Sequence, residues 1–167
     1  TEIYTLSLHD ALPIYVDHFN ARRFRTATEQ QRVVNEIMRL VVARASPSKD
    51  VLTGFEWSLN EITDNVLTHA DSPDGGLVQV TSLDAGLIIC VGDAGRGILA
   101  SLKEGHPELR NDEQALGEAV KAGVTRDPKI GQGNGLAGTL RVSTLSGGVF
   151  RIASFRGRLA VHGSNAN

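Results

Sequence analysis

The stretch GQGNGLAG, Gly131–Gly138, constrains this sequence more than any other, because four of its eight residues are glycine. The interior of a helix or strand does not favour that composition, since glycine loses more backbone freedom on folding than any other residue. Glycine-rich loops most often wrap phosphate groups, to which they present successive backbone N–H groups. The sequence therefore predicts a phosphate-binding loop, and the question is which loop architecture it belongs to.

Two common phosphate-binding loops do not fit the residues around this stretch. A P-loop requires Lys followed by Ser or Thr directly after its last glycine, whereas Leu-Ala stands at that point. Gly133, Gly135 and Gly138 do match the G-x-G-x-x-G pattern of dinucleotide-binding folds. That pattern should follow a strand and precede an acidic residue by about 20 positions. The preceding residues read TRDPK and no Asp or Glu follows Asp127, so this architecture is disfavoured as well.

Length and composition limit the class of protein. With 167 residues, 41% of them hydrophobic and 22% charged, the chain has the size and composition of one globular domain. The net charge of −2 gives no overall basic surface for nucleic acid. No apolar run approaches the ~18 residues of a membrane span, so no membrane segment is predicted. The single Cys90 cannot form an internal disulfide, which favours a reducing, cytoplasmic location.

The first fourteen residues, TEIYTLSLHDALPI, match the translation of a widely used short-read sequencing adapter. A chance match of that length is implausible, so we expect Thr1–Ile14 to be an artefact, foreign to the natural protein and without function. This hypothesis predicts that the segment packs poorly against the rest of the chain. Residues 15–167 then form one domain that is truncated at its N-terminus, and the ending HGSNAN is a second candidate truncation point.

Hydrophobic spacing predicts the order of helices and strands. The pattern indicates three helices near residues 26–45, 51–69 and 112–122, a fourth that starts in the glycine stretch and runs through Val142, and two pairs of strands near residues 77–92 and 147–163. The polar stretch between residues 98 and 130 is predicted to be a mobile cover, and Trp57 and Cys90 are expected in the core. Helices and antiparallel strand pairs in this order indicate an α+β two-layer sandwich.

Three separated blocks carry the chemistry of the chain. In LNEITDNVLTHA, the residues Glu61, Asn65 and His69 are spaced four apart, which places them on one face of a helix. The second block, VGDAGRGI, places Asp93 at a strand end before two glycines, and the third block is the glycine stretch. Asp-x-Gly is also ordinary turn chemistry, and a lone carboxylate on a helix face is often only solvated. Each block alone is therefore weak evidence, and their combination is informative.

In this order and at this approximate spacing, the three blocks resemble the N, G1 and G2 boxes of the GHKL ATPase superfamily. Its members include histidine kinases, anti-sigma-factor serine kinases, type II topoisomerases and heat-shock chaperones. The resemblance covers roughly residues 26–160. It implies the Bergerat fold, an α+β two-layer sandwich with a mixed sheet and helices on one face, and it implies that the chain binds ATP and Mg²⁺.

The resemblance assigns a role to each matching residue. Asp93 would accept the adenine amino hydrogen, and Gly95 and Gly97 would let the backbone pass close to the base and ribose. Asn65 would hold Mg²⁺, which bridges phosphate oxygens. Glu61 stands at the position that serves as general base in several branches of the superfamily.

The glycine stretch and its neighbours would bind the phosphates at the start of a helix. The residues implied in this role are Arg126, Lys129, Gly131, Gly133 and Gly135. Leu136 would pack the helix against the sheet. For the two cations, solvated side chains are an equal alternative, and His69 is expected to pack or cap at a helix end.

Features outside the boxes favour one branch of the superfamily. Sensor histidine kinases carry a phospho-acceptor His followed by an acid, and His18 in VDHFNARRF does not match that pattern. They also carry a phenylalanine-marked box, whereas no Phe occurs between Asp93 and Gly131. The chain resembles more closely the small bacterial anti-sigma-factor regulators related to serine protein kinases.

The function that this branch implies is that of an ATP-dependent protein kinase or ATPase acting on a regulatory protein. The expected partner is a sigma factor, an anti-anti-sigma-like protein or a response regulator, and a homodimer is a possible assembly. No nucleic-acid or membrane partner is expected. Two alternatives stay open: a binding module that ATP gates without phosphoryl transfer, and the catalytic domain of a sensor histidine kinase.

Overall fold

A computed structural model describes residues 2–8, 18–45, 48–83, 86–123 and 135–163. The elements in chain order are β1 (Glu2–Leu8), β2 (His18–Phe24), α1 (Ala27–Ala45), α2 (Lys49–His69), β3 (Gly76–Leu83), β4 (Gly86–Asp93), α3 (Gly97–Leu102), α4 (Asp112–Ala119), α5 (Gly135–Leu145), β5 (Val149–Ser154) and β6 (Gly157–His162). The described residues therefore have the α+β class that the sequence predicts. None of the described helices combines the length and the apolar character that crossing a membrane requires.

The longest described helix, α2, forms because its sequence supplies a capping residue at the N-terminus and a continuous apolar face. Ser48 caps the N-terminus, since its Oγ accepts a hydrogen bond from the Val51 N–H at 3.4 Å. Apolar residues then recur at helical spacing and are at most 2% exposed: Phe55, Leu59, Ile62 and Val66. The helix predicted near residues 51–69 from its hydrophobic spacing is confirmed.

The six described strands lie in the order β2-β3-β4-β1-β5-β6. The two predicted hairpins are confirmed, with Gly76 opposite Asp93 in one and Ser154 opposite Gly157 in the other. Every described neighbouring pair is antiparallel, so the expected mixed sheet is not what this register shows. The physical reason is β1, which is antiparallel to both β4 and β5 and separates these two mutually parallel strands.

The helices cover one face of the sheet, as expected from the sequence. In β3, Val78 and Val80 are buried, whereas the alternate residues Leu77 and Gln79 are exposed on the opposite face. The core lies between this sheet face and the helices, and its largest side chains with 0% exposure are Phe24, Phe55 and Phe150. The site described below forms along the helix that crosses this core, α2.

The stretch between residues 98 and 130, predicted to be a mobile cover, contains packed helices in its described part. α4 begins after Asn111, whose Oδ1 accepts a hydrogen bond from the Gln114 N–H at 2.9 Å. α4 buries Ala115, Leu116 and Ala119 and packs against β5 and β6. α3 and α4 therefore pack against the rest of the domain in this structure, and their mobility stays a prediction. Residues 124–134 lie outside the described part.

The strand β1 belongs to the segment Thr1–Ile14 that the adapter match marks as foreign. Its backbone pairs along Glu2–Leu8 with β4 and along Glu2–Leu6 with β5, so the expectation that the segment packs poorly is not met. The run EIYTLSL contains Ile, Tyr and Thr, residues that favour extended backbone. The foreign origin of the segment stays a prediction, since a foreign run of this composition can also pair with a sheet.

Deleting residues 1–14 should lower the melting temperature by about 10 °C or more, because it removes backbone pairing on both sides of a central strand. Thermal unfolding of the truncated and full chains, followed by circular dichroism in one buffer, measures the difference. An equal melting temperature would contradict this expectation. It would show that the pairing of β1 does not stabilise the sheet, and it would support the adapter hypothesis.

Candidate functional site

Asp93, the last residue of β4, is only 6% exposed. Its Oδ1 accepts a hydrogen bond from the Gly95 N–H at 2.6 Å, whereas its buried Oδ2 has no partner among the described residues. Burial raises the pKa of Asp93 above its ordinary value, and the Gly95 N–H opposes that shift. Because a buried acceptor without a partner is costly, this oxygen is placed to receive a donor from a bound molecule.

The loop after Asp93 is fastened to the C-terminal end of α2. The Arg96 N–H donates to the Ala70 carbonyl at 2.8 Å, and its Nε donates to the His69 carbonyl at 3.2 Å. The guanidinium group also pairs with Glu104. Gly95 lies so close to Ala70 that a Cβ at position 95 would overlap the Ala70 carbonyl oxygen. A contact within the protein is therefore sufficient reason for the glycine at position 95.

The opposite side of the same loop rests on the turn between β5 and β6. Gly97 has a φ of 79°, and the ring of Phe155 occupies the space where a Cβ at position 97 would lie. The Ile98 N–H donates to Ser154 Oγ at 3.0 Å. Sequence reasoning missed Phe155, Ser154 and Arg96, because no spacing rule connects them to the boxes.

Glu61 lies where α2 crosses the start of α5. Its carboxylate contacts Gly135, the first residue of α5, so closely that a Cβ there would overlap Glu61 Oε2. Burial raises the pKa of Glu61, and the neighbouring Asp64 carboxylate raises it further. This contact between Glu61 and Gly135 joins the first block to the glycine stretch. A carboxylate with a raised pKa at this position is suited to accept a proton from a reacting group.

Asn65 lies one turn after Glu61 on α2 and is half-buried. The described residues form no hydrogen bond with its side chain, so its carbonyl oxygen is available as a ligand. The described residues contain no group of three or more His, Cys, Asp or Glu side chains placed to hold a metal ion. Mg²⁺ in nucleotide sites typically takes one or two protein ligands and completes its shell with phosphate oxygens and water, so Asn65 fits that requirement.

The packing of α5 against α2 depends on glycines. The ring of Trp57 occupies the space where a Cβ at Gly138 would lie, and one turn further on Val142 leaves only a tight fit for a Cβ at Gly54. Trp57 is 39% exposed and Cys90 is half-buried, so the expectation that both lie in the core is wrong. The apolar spacing could not show this, because the partner of Trp57 is a glycine on another helix.

The first sequence block lies on α2, and the described residues of the other two blocks contact this helix. Glu61 contacts the start of α5, and Ala70 contacts the loop after Asp93 nine residues later. At 1.5 Å per residue, these two contacts lie about 13 Å apart along the helix axis. The site is therefore an elongated one, with a buried carboxylate at one end and a helix N-terminus at the other.

Comparison of the chain with protein-family models, curated proteins and solved structures gave no match.

The described residues place only part of the predicted phosphate site. α5 begins at Gly135, within the glycine stretch in which the sequence predicts a helix to start, and Leu136 is partly buried against the core. Arg126, Lys129, Gly131 and Gly133 lie outside the described residues, so their roles stay predictions.

Proposed function

We propose that this chain is a Mg-ATP-binding regulatory domain of the GHKL type, with a Bergerat fold, that transfers phosphate to a protein partner in a bacterial cytoplasm. The observation that carries the proposal is Asp93, a buried carboxylate with one oxygen bonded to a backbone N–H and the other without a described partner. Adenine presents an amino donor to such an acceptor, whereas guanine presents a carbonyl oxygen at the equivalent ring position. The site would therefore select ATP over GTP.

The rest of the nucleotide would lie along α2. The separation of about 13 Å between the two ends of the site is comparable to the length of an extended nucleoside triphosphate. The phosphates would then lie near the start of α5, where free backbone N–H groups and the helix dipole favour negative charge. Asn65 would hold Mg²⁺, which neutralises phosphate charge. Glu61, beside Gly135, would accept the proton of the attacking protein hydroxyl as the hydroxyl oxygen bonds to the γ-phosphorus, while the bond from that phosphorus to the β–γ bridging oxygen breaks and ADP leaves.

Asp93→Asn should weaken ATP binding by about 1.5–3 kcal/mol, because the amide that replaces Oδ2 presents a donor to the donor of adenine. That change corresponds to a dissociation constant roughly 10–150-fold higher. Titration calorimetry with ATP and GTP measures it, and the wild type should prefer ATP. Equal affinity of the wild type for both nucleotides would contradict the assignment of Asp93.

The stability of the same variant separates a lost contact from misfolding. Since burial raises the pKa of Asp93 above 3.8, the folded protein binds more protons than the unfolded one between 3.8 and the raised value. Stability therefore falls as pH rises through that window, and the ionised carboxylate is a cost at neutral pH. Urea unfolding without nucleotide should show Asp93→Asn to be as stable as the wild type at low pH and more stable at pH 7. A variant that is less stable at both pH values would contradict this sign.

A further inference from the structure

The turn between β5 and β6 carries an exposed aromatic residue in an unfavourable backbone conformation. Phe155 is 55% exposed, and its φ of 44° lies in the left-handed region. Turns with positive φ usually take Gly or Asn, which adopt this region at low cost, whereas a bulky residue there is rare. The backbone conformation of Phe155 is therefore unfavourable, and the free energy gained from burying its ring is only partial because the side chain is half exposed. Stability of the isolated chain does not account for it.

The turn is held rigidly by contacts on three sides. The Arg156 N–H donates to Asp112 Oδ2 at 3.2 Å, and Arg158 Nη1 donates to the carbonyl oxygens of Phe155 and Gly157, both at 2.7 Å. On the third side, the ring of Phe155 rests on Gly97. A rigid, exposed aromatic side chain loses little conformational freedom when another molecule covers it, which favours binding.

The charges around Phe155 indicate which molecule would cover it. Arg156 and Arg158 are exposed, and the described residues give the Arg156 guanidinium no partner. Asp112 and Glu113 begin α4 on the other side of the turn, and these carboxylates oppose the approach of a phosphate backbone. An aromatic residue surrounded by arginines and carboxylates is typical of a protein–protein interface, whereas a nucleic-acid groove is predominantly basic.

We propose that the β5–β6 turn is a docking tip for a protein partner, in which Phe155 enters an apolar socket whose rim carries carboxylates that meet Arg156 and Arg158. The tip contacts Gly97, the residue that ends the loop after Asp93, so a partner bound there would contact the protein next to that loop. The docking tip does not depend on the proposed ATP site. Its test is therefore made without nucleotide.

The probe is a displayed library of short random peptides, selected on the full chain. The selected peptides should combine one large apolar residue with flanking Asp or Glu, and a synthetic copy should bind Phe155→Asn about tenfold or more weakly than the wild type. Asn tolerates positive φ, which offsets the loss of the contact between the Phe155 ring and Gly97, so this variant should stay folded with a melting temperature close to that of the wild type. Arg156→Glu should weaken the same peptide, and replacing its acids by Lys should restore binding to that variant.

Three results would overturn the proposal. One is a selection that yields no peptide family, and another is a family that binds the wild type and Phe155→Asn equally. The third is binding of single-stranded polythymidine that depends on Phe155, which would assign the tip to nucleic acid. ATP affinity of Phe155→Asn is measured separately, so failure of the ATP proposal and failure of the docking tip are distinguishable.

Discussion

Glu61→Gln should bind Mg-ATP with unchanged affinity and lose phosphoryl transfer by about 10²–10⁴-fold, the range that a general base contributes. Gln keeps the length and shape of Glu, so the contact with Gly135 at the start of α5 is preserved. Only the ability to accept a proton is removed. Affinity is measured by titration calorimetry, and transfer is measured with γ-labelled ATP and a candidate partner protein in the same buffer.

Asn65→Ala is the matched control for this prediction. It removes the side chain proposed to hold Mg²⁺, so it should lose Mg-ATP affinity, whereas Glu61→Gln should not. Because burial raises the pKa of Glu61, transfer by the wild type should rise with pH through that pKa, and the rise should be absent from Glu61→Gln. If the wild type transfers no phosphate to any partner and Glu61→Gln behaves identically, the chain is better described as a binding module that ATP gates.

Gly95→Ala should lower the free energy of unfolding by about 1–3 kcal/mol, the usual cost of forcing an extra methyl group into a packed site. The added Cβ would overlap the carbonyl oxygen of Ala70. That oxygen is backbone and cannot rotate away, and it also accepts the hydrogen bond from the Arg96 N–H. The loop must then leave the end of α2, so nucleotide affinity should fall together with stability.

Gly117→Ala provides the control within the same chain. Gly117 lies inside α4, and a Cβ there would meet nothing within 4 Å. Alanine is favoured over glycine in a helix interior by about 0.5–1 kcal/mol, so this variant should be slightly more stable than the wild type. Urea unfolding without nucleotide compares the two. Equal stability of Gly95→Ala and Gly117→Ala would show that the loop does not rest on α2.

Local patterns were sufficient to predict the helices and strands whose capping residues, apolar spacing and turns all lie close together in the sequence. α2 has a capping residue and a continuous apolar stripe, and the β3–β4 hairpin has two apolar runs separated by a short turn. Both are confirmed. By contrast, β2 was missed because HFNARRF is an edge strand with few apolar residues, and α3 was missed because six residues are too short to show a period.

Contacts between distant residues were beyond what the sequence could show. The boxes singled out Gly95, Gly97 and Gly135, and in the structure a Cβ at each of these positions would overlap an atom of a neighbouring residue. The reason assigned to the first two was the approach of a nucleotide, whereas the structure places Ala70 and Phe155 against them. A one-dimensional pattern shows that space is needed at a position, but not which atoms fill it.

The position of β1 in the sheet has a consequence for the order of folding. Residue 2 lies opposite residue 93 on one side and residue 154 on the other, so the central strand makes contacts of very long sequence separation. Such contacts form late, because the loss of chain entropy on closing long loops precedes any gain from pairing. The β3–β4 hairpin and the α1–α2 pair can form first, while the backbone groups of β4 and β5 that β1 later covers are exposed. Refolding should therefore be slow, and it should compete with aggregation through those two strand edges as the protein concentration rises.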